Sequence, residues 1–146
     1  PTLAAPDDQA PLWEHINITI DCVASDHAPH TRAEKERPEG APPGVPGLES
    51  TLPLMLTAVA QGRLSAARLE ELLARNPRRL FKVPEQPDTW IEVDPEAEFI
   101  FPEGPFYTKC GWSPFAGMRL RGRVTRVVLR GQEVVRDGIV LNYQKS

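Results

Sequence analysis

The chain has 146 residues, 40% hydrophobic and 25% charged, which allows one modest globular domain or parts of two. Lys and Arg number 17 against 20 Asp and Glu, and the formal charge of -3 gives no electrostatic basis for binding nucleic acid or an anionic membrane. No apolar run approaches the roughly 20 residues that a membrane-spanning helix needs, and two distant cysteines, Cys22 and Cys110, make neither a disulfide framework nor a zinc ribbon.

In chain order, residues 7–16 (DDQAPLWEHI) read as a short helix with Leu12, Trp13 and Ile16 on one side. Residues 16–26 (INITIDCVASD) open with β-branched side chains and become almost wholly apolar or small. Such a run suits a strand buried on both faces, as in a parallel barrel. The proline-rich stretch 37–46 (RPEGAPPGVP) is a loop. Leu52, Met55, Leu56 and Val59 then repeat at helical spacing, with Pro53 in the first turn and Gly62 as the stop. Ser65 caps a further helix, in which Leu69, Leu72 and Leu73 face inward and Glu71 can pair with Arg75. Asn76-Pro77 ends that helix or starts a short new turn. From about residue 85 the pattern is all-β. Residues 90–101 split into two short strands around Asp94-Pro95. Residues 124–141 read as hairpins, with turns at residues 130–133 and at Asp137-Gly138.

The chemistry concentrates in residues 21–31 (DCVASDHAPHT). Asp26 stands where the buried strand runs out, and side chains at the C-terminal ends of barrel strands point into the active-site mouth. A half-buried carboxylate there needs a cation or metal beside it. His30 lies four residues on, past Pro29, and can face the same cavity from the loop side. An Asp followed by a His also serves simply to cap a loop or bind a backbone amide, and the spacing by itself specifies no metal.

SDHAPHT, the pair Glu34-Lys35, PPGVPGLESTLPLMLT, NPRRLF and WSPFAGMRLRGRVTRVVLRGQEVVRDG together resemble the dihydroorotase family within the cyclic amidohydrolases. The form is that of animal multifunctional pyrimidine-synthesis proteins and related bacterial enzymes. The resemblance implies an α/β fold: residues 1–84 as the last part of a (β/α)8 barrel, and residues 85–146 as C-terminal strands of a small β-sandwich. It implies reversible cyclisation of N-carbamoyl-L-aspartate to L-dihydroorotate in a cytoplasmic setting, with a binuclear Zn2+ centre.

Asp26 would then be both a metal ligand and the catalytic group. One oxygen would touch the more buried zinc, and the other would take a proton from the attacking hydroxide and return it to the leaving nitrogen. His30 would bind the substrate's exocyclic carboxylate. Pro43 and Gly44 would approach the ring through backbone groups, and His27 would serve structural hydrogen bonding in place of a metal. Another cyclic amidohydrolase, such as a hydantoinase or dihydropyrimidinase, and a non-catalytic scaffold for aspartate transcarbamoylase are the alternatives.

The family's remaining zinc ligands are an HxH pair, a carboxylated lysine and two further histidines. The chain's histidines are His15, His27 and His30, and its lysines Lys35, Lys82, Lys109 and Lys145 lie at no buried strand end. The expectation is therefore a segment of a longer polypeptide, inactive and poorly stable alone, with an unpaired sheet edge and exposed apolar faces. Its expected partners are the missing N-terminal portion, the small-molecule substrate, further copies of itself and aspartate transcarbamoylase.

Overall fold

The computed structural model describes residues 5–141; Lys145 and the outer limits of both expected units lie outside them. Pro6–Asp8 form one 3-10 turn, and α1 (Gln9–Ile18) follows directly. The helix thus runs two residues past its expected end and takes up the β-branched start of the expected strand. Packing decides this against local propensity: Ile16 is buried in the core and Trp13 packs against it. Leu12, expected on the inner side, is exposed.

Residues 20–25 are extended but form no ladder, and Asp21 and Ala24 are exposed. The strand buried on both faces is therefore not formed among the described residues. A ladder needs a neighbouring strand, and the nearest backbone offers only one parallel bridge, from His27 to Val45. Groups from the following helical segment satisfy the backbone instead. Val23 N–H donates to the Leu72 carbonyl (3.1 Å), and Asn76 Nδ2 donates to Asp21 O (2.8 Å). Arg68 donates from Nε to Ile16 O (2.9 Å) and from Nη2 to Ile20 O (2.6 Å).

After a four-residue α2 (Arg32–Lys35) the chain loops to α3 (Thr51–Ala60), where Pro53 sits in the first turn as expected. Ser65 Oγ accepts from Arg68 N–H (3.1 Å) and caps α4 (Ala66–Glu70). A π turn, Glu71–Arg75, then leads without a break into α5 (Asn76–Leu80). The π turn overturns the expected Glu71–Arg75 pair. Its extra residue brings side chains five apart into line, so Arg75 pairs with Glu70 (2.8 Å), while Glu71 pairs with Arg68 (2.8 Å). Ile16, Met55, Ala58, Leu64 and Leu72 form the core beneath these helices.

The second region is one antiparallel sheet in the order β1-β2-β3-β4: Trp90–Ile100, Arg119–Leu129, Gln132–Arg136 and Ile139–Val140. The two strands expected around Asp94-Pro95 are a single strand with a bulge. Pairing jumps from Asp94–Arg123 to Glu98–Arg121, and Asp94 Oδ1 accepts from the N–H groups of Glu96 (2.9 Å) and Ala97 (3.2 Å). The bulge is what lets Pro95, which has no N–H to donate, stand within a strand. Arg130-Gly131 and Asp137-Gly138 turn the two hairpins, all four residues at positive φ.

At α3 and its start, two contacts dock the sheet region on the helical region. Gly122, opposite the bulge, has φ 94° and lies against α3: a Cβ there would come within 2.6 Å of Leu56 Cβ. Beside it, Thr57 Oγ1 accepts from Arg121 N–H (2.8 Å). The other contact is Glu49. Its carboxylate accepts from Thr108 N–H (2.8 Å), Thr108 Oγ1 (2.5 Å) and Tyr107 N–H (3.2 Å), which ties the loop before β2 to the start of α3. Partial burial raises the Glu49 pKa, but the hydrogen bonds from Thr108 and Tyr107 outweigh it and hold the group below the ordinary carboxylate value.

Large apolar side chains remain uncovered, among them Ile18 (78% exposed), Phe81 (73%) and Ile139 (66%). This is the exposure expected of an incomplete fold.

Two outcomes follow. Gly122→Ala should lower stability by about 2 kcal/mol in urea unfolding, through overpacking and backbone strain. Gly104→Ala, whose Cβ meets nothing within 4 Å, should change it by less than about 0.5 kcal/mol. Because the folded pKa of Glu49 is lowered, its contribution is full above the unfolded value of about 4.3 and is lost as pH falls through the folded value. The thermal-midpoint advantage of wild type over Glu49→Gln should therefore be constant near pH 6–7 and shrink below about pH 4.

Candidate active site

The site begins where residues 20–25 end. Asp26 has φ 44°, in the left-handed region, at a conformational cost on the order of 1 kcal/mol that Asp tolerates better than most residues. The reversal exposes Asp26 while the chain continues into the His27–Val45 bridge, where Ala28 N–H donates to Val45 O (3.0 Å). His30 N–H donates to the Ala28 carbonyl (2.9 Å) and closes a three-residue turn around Pro29. Thr31 and Glu34 then form a reciprocal capping box that starts α2. The side-chain and backbone hydrogen bonds from Thr31 hold Glu34 below the ordinary carboxylate value, with smaller help from the charges of His30 and Arg37.

Loop 42–48 lies directly against residues 25–28, and two glycines make the approach possible. A Cβ on Gly44, at φ 93°, would meet Ala28 Cβ at 2.5 Å, and one on Gly47 would meet the Ser25 carbonyl oxygen at 2.6 Å. His27 fastens the same contact: its Nδ1 accepts from the N–H groups of Gly47 (3.1 Å) and Leu48 (3.2 Å). An acceptor at Nδ1 carries no proton, so the neutral ring is protonated at Nε2. Lys35 Nζ closes the other side, donating to Pro42 O (2.6 Å) and Gly44 O (3.0 Å).

The anticipated site residues thus fall on two adjoining segments. Asp26 and His30 lie on either side of Ala28, and Gly44 rests on Ala28 from the neighbouring loop. Neither the Asp26 carboxylate nor the His30 ring makes a hydrogen bond or ion pair among the described residues. The half-buried His30 ring and the exposed Asp26 carboxylate are free to meet a ligand. In the loop, Gly44 O is already taken by Lys35, which leaves Gly44 N–H and Pro43 C=O as backbone groups without a partner among the described residues.

Among the described residues no three His, Cys, Asp or Glu side chains come together as a metal site. Asp26 offers one carboxylate, and a zinc ion held by protein takes at least three ligands. The described residues alone therefore do not fit a zinc centre. His15 is remote, with Nδ1 2.8 Å from Thr19 Oγ1, and both cysteines are half-buried free thiols.

Sequence reasoning missed three side chains that shape the site. Lys35 as a clamp was within reach, since the T-x-x-E capping box fixes the short helix that carries it. The Glu49 latch and Trp112, whose Nε1–H donates to the His30 carbonyl (2.7 Å), join residues 59 and 82 positions apart and leave no local signal.

No family model matches the chain. It is 50% identical over 97% of its length to the multifunctional protein pyr1-3 of Dictyostelium discoideum, of which it covers 6%. It is 38% identical, again over 97% of its length, to a dihydroorotase of Pyrococcus abyssi, of which it covers 35%. Among solved structures it superposes on the inactive dihydroorotase-like domain of a CAD-like multifunctional protein from Chaetomium thermophilum. The TM-score is 0.79 and the identity 33%, over 97% of this chain and 40% of that one. On the L-hydantoinase of Arthrobacter aurescens the TM-score is 0.90 and the identity 31%, over 97% and 35%. The chain spans about a third of the length of the dihydroorotase it matches. Over that third the chain is similar in sequence to dihydroorotases and in fold to dihydroorotase-like and hydantoinase domains.

Proposed function

We propose that this chain supplies one wall of a dihydroorotase site, which interconverts N-carbamoyl-L-aspartate and L-dihydroorotate in pyrimidine biosynthesis. One observation carries the reading. In a chain 38% identical to a dihydroorotase, the carboxylate of Asp26 is turned out of the chain's own hydrogen bonding at the end of an extended segment. Beside it His30 sits on a turn fixed at both ends.

The proton chemistry follows from the reaction. Ring opening needs a base for the attacking water and an acid for the leaving amide nitrogen, and one carboxylate can do both in turn. Asp26 would take that role, accepting the proton first and returning it second; in ring closure the order would reverse. A ring N–H of His30 would meet the substrate's exocyclic carboxylate in a charge-assisted hydrogen bond. Gly44 N–H and Pro43 C=O would face the ring amide. A zinc pair is the cofactor of this reading, with Asp26 as one ligand and the others outside the described residues.

The multifunctional relative holds the matching stretch within a far longer protein. The same arrangement is proposed here: residues 1–84 and 85–146 as parts of a barrel and a β unit that the rest of the domain completes. Aspartate transcarbamoylase and further copies of the chain would be its neighbours, in the cytoplasm. Among the described residues no helix is long and apolar enough to cross a membrane.

The superposition on a hydantoinase favours a second reading, hydrolysis of a cyclic amide without the carboxylate. The inactive dihydroorotase-like domain favours a third, a scaffold. Kinetics and zinc analysis of the complete domain separate the three. Asp26→Asn should lower kcat about a thousandfold with dihydroorotate. His30→Ala should raise KM for dihydroorotate roughly 10- to 100-fold, the worth of one charge-assisted hydrogen bond. Turnover of hydantoin or dihydrouracil, but not dihydroorotate, establishes the second reading. No turnover and no stoichiometric zinc establishes the third.

A further inference from the structure

The His30 imidazole can hold a carboxylate only if its backbone is held first, and both of its backbone polar groups are engaged. The N–H is tied locally, to Ala28 O. The carbonyl is tied at long range, by the indole N–H of Trp112 at 2.7 Å. Trp112 lies in the loop between β1 and β2, so the sheet region reaches across to the turn that carries His30.

That loop is anchored independently of the contact. Phe101 at its start is buried and meets Phe106 edge to face, with ring centroids 5.8 Å apart. The Glu49 carboxylate holds Tyr107 and Thr108. Ser113, next to the tryptophan, is 7% exposed, and the Arg32 guanidinium lies 5.7 Å from the Trp112 ring centroid. Between the loop and the start of α3 remains a void of about 10 Å³, lined among others by Pro46, Glu49, Phe106 and Trp112. That is room for about one water molecule.

We propose that Trp112 is a positioning residue. It acts through the His30 main chain to set the turn that presents the imidazole, and so gives the sheet region a part in selecting a carboxylate-bearing ring. This rests on the dihydroorotase reading for the identity of the ligand, but the positioning itself is open to a test without substrate.

The test uses the complete catalytic domain and the substitution Trp112→Phe, which keeps an aromatic ring under Arg32 and removes the donor. Hydrogen exchange of the amides of residues 30 and 31 should quicken about fivefold, the worth of one neutral hydrogen bond, while amides in α3 keep their wild-type rates. KM for dihydroorotate should rise about fivefold with kcat within about twofold, and turnover of hydantoin, which lacks the carboxylate, should not change. In the wild type, the Trp112 indole N–H should be protected from exchange.

An indole that exchanges as fast as an exposed tryptophan overturns the proposal without recourse to any variant. Unchanged exchange at residues 30 and 31 in a folded Trp112→Phe protein overturns it, as does an equal loss on both rings. If wild type turns over no dihydroorotate, the dihydroorotase reading fails by itself, and the exchange measurements still decide whether Trp112 positions the turn.

Discussion

The arrangement depends on how closely two stretches of backbone approach. Loop 42–48 rests on residues 25–28 at distances that a single added methyl group would violate at either Gly44 or Gly47. Close approach alone would leave polar backbone groups stranded, which is costly away from water. His27 and Lys35 remove that cost from opposite sides, one as an acceptor of two N–H groups and the other as a donor to two carbonyls. With this contact in place, Ala28 serves as a fixed point, and Asp26, His30 and Gly44 take their positions around it. Without it these residues would sit on two loops with no reason to meet.

The site is supported from three levels of the chain. The capping box at Thr31 and Glu34 is local, and it fixes Lys35. The loop contact is of middle range. The ties between Glu49 and Thr108 and between Trp112 and His30 are long-range, and they bind the start of α3 and the His30 turn to the loop between β1 and β2. A scaffold of this kind suits chemistry that needs a fixed carboxylate and a fixed imidazole, because a misplacement of about 1 Å can cost about a hundredfold in rate.

Much of this was legible in the residues. The helical stripe from Leu52 to Val59, the Ser65 cap and the two glycine turns of the sheet are written in spacing and turn chemistry. The motif that carries Asp26 and His30 is likewise local. Other features were not legible, for identifiable reasons. Ile16–Ile18 look like strand in isolation and become helix because Ile16 fills the core. The π turn at Glu71–Arg75 has no sequence signature, yet it re-pairs two arginines. Asp94 conceals a bulge, because its side chain takes over bonds that a turn would otherwise have made. The extended stretch 20–25 lacks a strand beside it, and an arginine and an asparagine from the helices stand in for one.

The bulge in β1 has one more consequence. β1 is an outer strand of the sheet, eleven residues long, and a flank of that length ordinarily invites foreign chains to zip onto it. Here the row of donors and acceptors is broken at midlength by Pro95, and Glu92, Glu96 and Glu98 stand along it. An incoming segment finds two short footholds on either side of a gap, beside glutamates that are paired with Arg126, Arg121 and Arg119 of β2. The irregularity thus shortens the continuous ladder that this edge can offer to a further strand.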